Sequence, residues 1–465
     1  MRYISTRGRA PELGFDDALL AGLATDGGLY VPSSWPRFSQ TEWAAFAALD
    51  YAGLATKVIA PYVRGSVAAS SLLSIAKQAY GGFAHQAVAP LVQLDSQLWL
   101  MELFHGPTLA FKDYALQMVG LLFDHVLKAR GSRITIVGAT SGDTGSAAIE
   151  ACKDRAAVDI FILHPAGRVS EVQRRQMTTV QSSNVHNVAV QGSFDDCQNI
   201  VKAMFADVEL RADLNLSAVN SINWARIMAQ IVYYAWASLR LGSEYKPVAF
   251  AVPTGNFGNV FAGYVAKQMG LPIAKFAVGS NRNDILTRYF ETGLMTAADV
   301  VPSLSPSMDI QISSNFERLL FSAYNNDGVA VANLMERFKQ SGEYAVDPAS
   351  HARIMALFAG DRSKDDVTKA TMKSVFAATG QVVDPHTAIG IHAARVLKGS
   401  PDMPIIALGT AHPAKFPDAI EAAIGQRPAL PAHLADLLQR HERFTTLAND
   451  LDQIKAYVRQ HARQI

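Results

Sequence analysis

The sequence predicts an α/β protein with two open, mostly parallel sheet lobes, preceded by a mixed helical region. Three strand–loop–helix units carry that prediction. An apolar run at 133–137 leads into a loop rich in glycine and hydroxyls at 138–145, then into helix-forming residues 146–152. The same order returns at 248–252, 253–259 and 260–269. A third apolar run, 404–408, leads into Gly409-Thr410-Ala411-His412-Pro413. Repeated units of this kind assemble into sheets covered by helices on both faces. Ligands of such sheets bind at the carboxyl ends of the strands, where these three loops fall.

Taken along the chain, residues 16–24 show a short helical pattern that ends in Thr25-Asp26-Gly27-Gly28, a turn into a short extended segment at 29–32. Helical stretches are expected at 40–63 and 71–81. From about residue 89 the strand–loop–helix grammar takes over. We therefore divide the chain into an N-terminal region (1–88), a first α/β lobe (89–215) and a second lobe with C-terminal helices (216–465), and expect the lobes to exchange segments. Leu447, Leu451, Ile454 and Val458 recur along one face of an expected docking helix near the C-terminus.

Composition narrows the function classes. A chain of 465 residues, 49% apolar and 18% charged, suits a globular protein with a large core. With 42 basic and 41 acidic residues and no basic stripe, nothing points to nucleic acid or a membrane surface. No apolar run approaches the roughly 20 residues of a membrane helix, and no secretory signal is evident. Cys152 and Cys197 are too few for a disulfide framework and read as buried thiols in the cytoplasm. The twelve histidines show no metal-ligand spacing, so no metal site is expected.

Chemistry gathers in a few segments. In Phe104-His105-Gly106-Pro107-Thr108-Leu109-Ala110-Phe111-Lys112-Asp113 the lysine follows three apolar residues. Lost hydration lowers the pKa of an amine, and a neutral amine forms Schiff bases with aldehydes and ketones. A snorkelling lysine at a helix start is the plainer alternative. Gly255-Asn256-Phe257-Gly258-Asn259, between a strand and a helix, suits a phosphate, because glycine lets the backbone approach closely and the helix start offers free N–H groups. A bare tight turn is the alternative. The loop at 138–145 could hold a carboxylate through its hydroxyls and N–H groups, or Asp143 or Thr144 could simply cap the next helix. Thr410 reads as a turn residue. Asn223 and Arg226 would share a helix face, where the guanidinium binds an anion or pairs with an acid.

Seven stretches, at 3–8, 22–32, 104–113, 138–145, 220–226, 252–259 and 409–416, together closely resemble the threonine synthase family in its longer form. That family belongs to the tryptophan-synthase-β-like, fold type II group of pyridoxal-phosphate enzymes. The resemblance implies that Lys112 binds pyridoxal 5'-phosphate as a Schiff base, that residues 255–259 cradle its phosphate, and that Thr410 faces its pyridine nitrogen. Asp143 would lie near the cofactor ring, although many relatives have asparagine there and an ionised aspartate cannot donate. Ser141, Gly142 and Thr144 would receive the substrate carboxylate. Asn223 and Arg226 would bind the substrate phosphate, with His105, Thr108, Lys275 and Arg282 as further candidates around the substrate.

The implied reaction turns O-phospho-L-homoserine and water into L-threonine and phosphate by γ-elimination and β-addition of water, in a monomer or homodimer. Two rivals share the cofactor: a phospholyase and a threonine dehydratase, both releasing 2-oxobutyrate. A non-catalytic binding protein of the same fold is the rival from another class.

Overall fold

The computed structural model describes residues 1–242, 246–397 and 403–463. Two parallel sheets form its frame. The larger runs Phe358–Arg362, Ile273–Ser280, Val248–Pro253, Ile405–Gly409, Leu98–Glu102 and Leu91–Gln93, with only the last pairing antiparallel. The smaller runs Thr445–Ala448, Val185–Gln191, Val158–Pro165, Ile134–Ala139 and Leu216–Ser217, all parallel. Val158–Pro165 and Val248–Pro253 are buried at every position, as strands covered on both faces must be.

The sheets do not follow the boundary at 215/216. Leu98–Glu102 leaves the first stretch to pair inside the larger sheet, while Leu216–Ser217 and Thr445–Ala448 return to the smaller one. The lobes are thus woven together by hydrogen bonding between distant segments, which composition does not reveal.

Local structure follows residue chemistry closely. The helical region at 40–63 is two helices, Gln40–Phe46 and Tyr51–Ile59, because Ser39 and Asp50 each cap a new start. The pattern at 16–24 yields Phe15–Ala21, stopped by Gly22 at φ 66°. Near the C-terminus, Leu447 lies in a strand rather than in the expected helix; Asp450 caps Leu451–His461 instead. Leu447, Leu451, Ile454 and Val458 still share one cluster under the smaller sheet, so spacing identified their common burial but not their backbone.

The helix Trp224–Arg240 is buried on all sides from Trp224 to Leu239 and packs on Lys112–Arg130 and Gly258–Gln268. A helix apolar all round belongs in the middle of a large core. It thereby carries Arg226 into the interior, near both functional helices. Both cysteines are buried free thiols. No helix among the described residues is long and apolar enough to cross a membrane.

Candidate active site

Lys112 opens the helix Lys112–Arg130, and its residue surface is 8% exposed. The preceding turn is held by the segment after Ile405–Gly409. Phe111 N donates to Thr410 O at 2.9 Å, and His412 N donates to Leu109 O at 2.9 Å. Leu109 sits at φ 63°, a left-handed conformation that costs a branched side chain about 1–3 kcal/mol and that such tight lacing must sustain.

Asp143 stands directly opposite. Lys112 Nζ donates to its Oδ2 at 3.1 Å and Lys415 Nζ to its Oδ1 at 2.8 Å. Gln173 Nε2 adds a bond at 2.8 Å and Ser307 Oγ one at 3.3 Å. Burial alone would raise the pKa of Asp143, but Lys112 and Lys415 together hold it well below the usual carboxylate range. Asp143 is therefore an ionised acceptor and donates nothing. Burial lowers the pKa of Lys112; Asp143 opposes this, while the Lys415 and Arg226 cations add to it. A buried amine with a depressed pKa is what Schiff-base chemistry needs.

The loop at 138–145 is organised by Thr140, whose Oγ1 accepts from Gly142 N at 3.0 Å and Gly145 N at 2.9 Å. Neither Asp143 nor Thr144 caps the helix Asp143–Cys152, which starts at Gly142 without a side-chain cap. Gly142 lies at φ 145°, and a Cβ there would meet Gln173 Cδ at 2.5 Å. Ser141 and Thr144 are half-buried. Gly142 and Gly145 thus spend their N–H groups on Thr140, and those of Ser141 and Thr144 stand at a helix start, where a carboxylate is favoured.

The glycine loop leaves Val248–Pro253 and enters Gly258–Gln268. Phe257 takes φ 62° before the helix, and Asn256 is exposed. A Cβ on Gly255 would come within 3.3 Å of Ser307 O, so glycine keeps this cradle open beneath the overlying chain. Asn259 Oδ1 accepts from Tyr233 and Tyr234 hydroxyls at 2.6 and 2.9 Å, while its Nδ2 is buried without a partner.

Several candidates have other duties. Asn223 Oδ1 accepts from Ala225 N at 3.0 Å as the cap of Trp224–Arg240, and its Nδ2 donates to Leu19 O at 2.8 Å. It secures the helix that carries Arg226 rather than presenting an amide to substrate. Thr108 spends its hydroxyl and N–H on Asp113, at 2.6 and 2.8 Å. His105 Nε2 is bound to Glu102 at 2.7 Å. Lys275 donates to Met355 O at 3.1 Å and Arg282 to Pro302 O at 3.4 Å. Thr108 is thereby committed to the turn before Lys112, while His105, Lys275 and Arg282 each make one such contact. Arg226 differs: it is 3% exposed, donates to Val219 O at 3.1 Å, and leaves Nε unpartnered. Burial pushes its pKa down to about 10.

Residues not singled out in the sequence complete the site. Lys415 is fully buried and also donates to Thr108 O at 2.7 Å. Asp384, equally buried, accepts from His386 Nδ1 at 2.8 Å, which leaves His386 Nε2 to accept from Ser307 N at 3.2 Å. Asp384 also accepts from the Thr387 hydroxyl, which in turn accepts from Thr410 N at 3.1 Å. One carboxylate thus positions both Thr410 and the chain over Gly255. Lys415 lies within the 409–416 stretch, but nothing in its chain neighbours signals its burial.

Comparison with known proteins then decides the family. Models described as threonine synthase N terminus, pyridoxal-phosphate dependent enzyme and threonine synthase C-terminal match residues 2–80, 83–368 and 387–458. A threonine synthase of Pseudomonas aeruginosa is 56% identical over 99% of this chain and 98% of its own. The chain belongs to the threonine synthase family. The Saccharomyces cerevisiae threonine synthase is 42% identical over 94% of this chain and 93% of its own. A crystal structure of pyridoxal-phosphate-bound threonine synthase from Brucella melitensis superposes with a TM-score of 0.97 at 54% identity, covering 100% of both chains. Like other members of the threonine synthase family, this is a fold type II, pyridoxal-phosphate-dependent enzyme. The buried amine and the glycine cradle fit that cofactor's aldehyde and phosphate.

The site also titrates. Burial, then the nearby His105, lowers His412 from 6.5 to about 4, while burial raises Asp113 from 3.8 to about 6. Below pH 6.5 the unfolded chain protonates His412 and the folded chain does not, so stability is lost as pH falls towards 4. Asp113 acts oppositely, because the folded state keeps a proton the unfolded chain has released between 3.8 and 6. His412→Asn retains a capping residue and removes the first effect, worth about 2–3 kcal/mol. Relative to the parent, its melting temperature should rise as pH falls from 7 to 4.5. A constant difference would refute the assignment.

Proposed function

We propose that the protein converts O-phospho-L-homoserine and water into L-threonine and phosphate. The observation that carries this reading is the Lys112–Asp143–Lys415 cluster, set between a carboxylate-binding loop and a glycine cradle in a chain of this family. Bound pyridoxal phosphate supplies an electron sink for charge that develops beside the amino-bearing carbon. Lys112 Nζ would hold the cofactor and, once displaced by the substrate amine, would move the proton at the α-carbon; burial lowers its pKa, which favours the neutral amine that accepts that proton. Residues 255–259 would hold the cofactor phosphate, and the Thr410 hydroxyl would serve its pyridine nitrogen as a neutral partner, which would moderate the ring's electron withdrawal.

Ser141 and Thr144 receive the substrate carboxylate at the start of Asp143–Cys152, while Gly142, whose N–H is held by Thr140, shapes the loop. Asp143 stays anionic and holds the released Lys112 amine near the reacting carbon. Arg226, buried without a carboxylate partner among the described residues, receives the phosphate that departs. The protein acts as a monomer or a homodimer, and its buried thiols suit the cytoplasm.

Purified protein supplied with O-phospho-L-homoserine is expected to release phosphate and threonine in equal amounts. Product analysis by chromatography alongside phosphate release distinguishes the rivals. Phosphate accompanied mainly by 2-oxobutyrate would identify a phospholyase and overturn the synthase reading, and absence of turnover would favour a binding protein.

A further inference from the structure

Asn315 is completely buried immediately before the helix Phe316–Ala323. Its amide orientation is fixed chemically. Arg318 Nη1 bonds to Asn315 Oδ1, and because a guanidinium only donates, the atom facing it must be the carbonyl oxygen. Asn315 Nδ2 therefore points away, over the glycine loop, where a Cβ on Gly258 would lie 3.3 Å from it. That nitrogen is buried and has no hydrogen-bond partner. The backbone is equally committed: Asn315 N donates to Asn256 O at 3.0 Å, and Ser313 Oγ donates to Gly255 O at 2.7 Å.

The charge nearby is also unbalanced. Arg318 donates to Tyr30 O at 3.0 and 3.2 Å and to Ile222 O at 2.6 Å, and it pairs with no carboxylate among the described residues. Burial pushes its pKa down to about 9. Arg226 is likewise buried and pairs with no carboxylate among the described residues. An unpartnered amide, two buried cations without a direct carboxylate partner among the described residues, and the N–H groups at the start of the helix Gly258–Gln268 together call for a multiply charged anion.

We propose that Asn315 Nδ2 donates to a phosphate monoester bound at the head of the Gly258 helix, with Arg318 as the positioning residue that locks the amide. The proposal rests on the reading of the glycine loop as a phosphate cradle. Two phosphates are available, the cofactor's and the substrate's, and the same chemistry serves either.

Asn315→Asp keeps an oxygen against Arg318 but replaces the donor by an anionic oxygen. Asn315→Ala removes the donor without adding charge, should the first variant fail to fold. Cofactor-free, full-length protein is titrated with pyridoxal phosphate and with unphosphorylated pyridoxal. If Asn315 binds the cofactor phosphate, affinity for pyridoxal phosphate falls about tenfold in the alanine variant and further in the aspartate variant, while pyridoxal binding is unchanged. If it binds the substrate phosphate, both cofactor forms bind as in the parent, but KM for O-phospho-L-homoserine rises about tenfold and inhibition by inorganic phosphate weakens in parallel. Either result supports the proposal.

Arg318→Met should lower the ratio of the two cofactor affinities in the first case, with partial rescue by Arg318→Lys; a purely structural role would move both affinities together. A parent protein that binds pyridoxal as tightly as pyridoxal phosphate and ignores inorganic phosphate would defeat the cradle reading itself. A parent that discriminates, with Asn315 variants matching it in every measurement, would defeat the Asn315 inference alone.

Discussion

Lys112→Ala is expected to lower threonine formation by about a thousandfold or more, because it removes both the cofactor's attachment point and the base at the α-carbon. The loss should be chemical rather than structural. Asp143 keeps its shorter bond to Lys415, 2.8 Å against 3.1 Å to Lys112, so the buried carboxylate remains paired. Melting of the variant should therefore stay close to that of the parent. Borohydride reduction offers a second check: it should fix the cofactor covalently to the parent and leave the variant unlabelled. A variant retaining a tenth of parental turnover would show that another amine carries the chemistry.

Asp143→Ala should fail differently. It strands the Lys112 and Lys415 amines in a buried space with no anion between them, and breaking a buried pair by deleting one partner costs roughly 3–5 kcal/mol. Both stability and turnover should fall. Adding Lys415→Met removes one stranded charge, so the double variant should regain much of the stability while staying poorly active. Calorimetry on the single and double variants measures the coupling directly. A single variant that melts like the parent would mean that Asp143 does not balance these cations.

The sequence exposed the three loops because each joins a recognisable apolar run to a helix, and their glycines and hydroxyls have local reasons to be there. Lys112 was legible for the same reason, since its apolar neighbours adjoin it in the chain. Lys415 was not: its burial depends on packing against Thr108 and Asp143, far away in sequence. The Asp384–His386–Ser307 and Asn315–Arg318 contacts are hidden for the same reason. Asn223 and Thr108 show the reverse case. Each is polar and beside a motif, yet each spends its side chain on the backbone geometry that holds the motif in place.

The strand Ile405–Gly409 lies between Val248–Pro253 and Leu98–Glu102, and it leads directly to Thr410 and Lys415. During synthesis both neighbours leave the ribosome well before it does. Until it arrives, each presents an open, apolar strand edge in a sheet that can be closed only by long-range pairing, a slow step that invites aggregation. Insertion of this one strand both seals the gap and brings the ammonium that balances Asp143. Nascent chains halted before it would be not merely inactive but prone to associate through that gap.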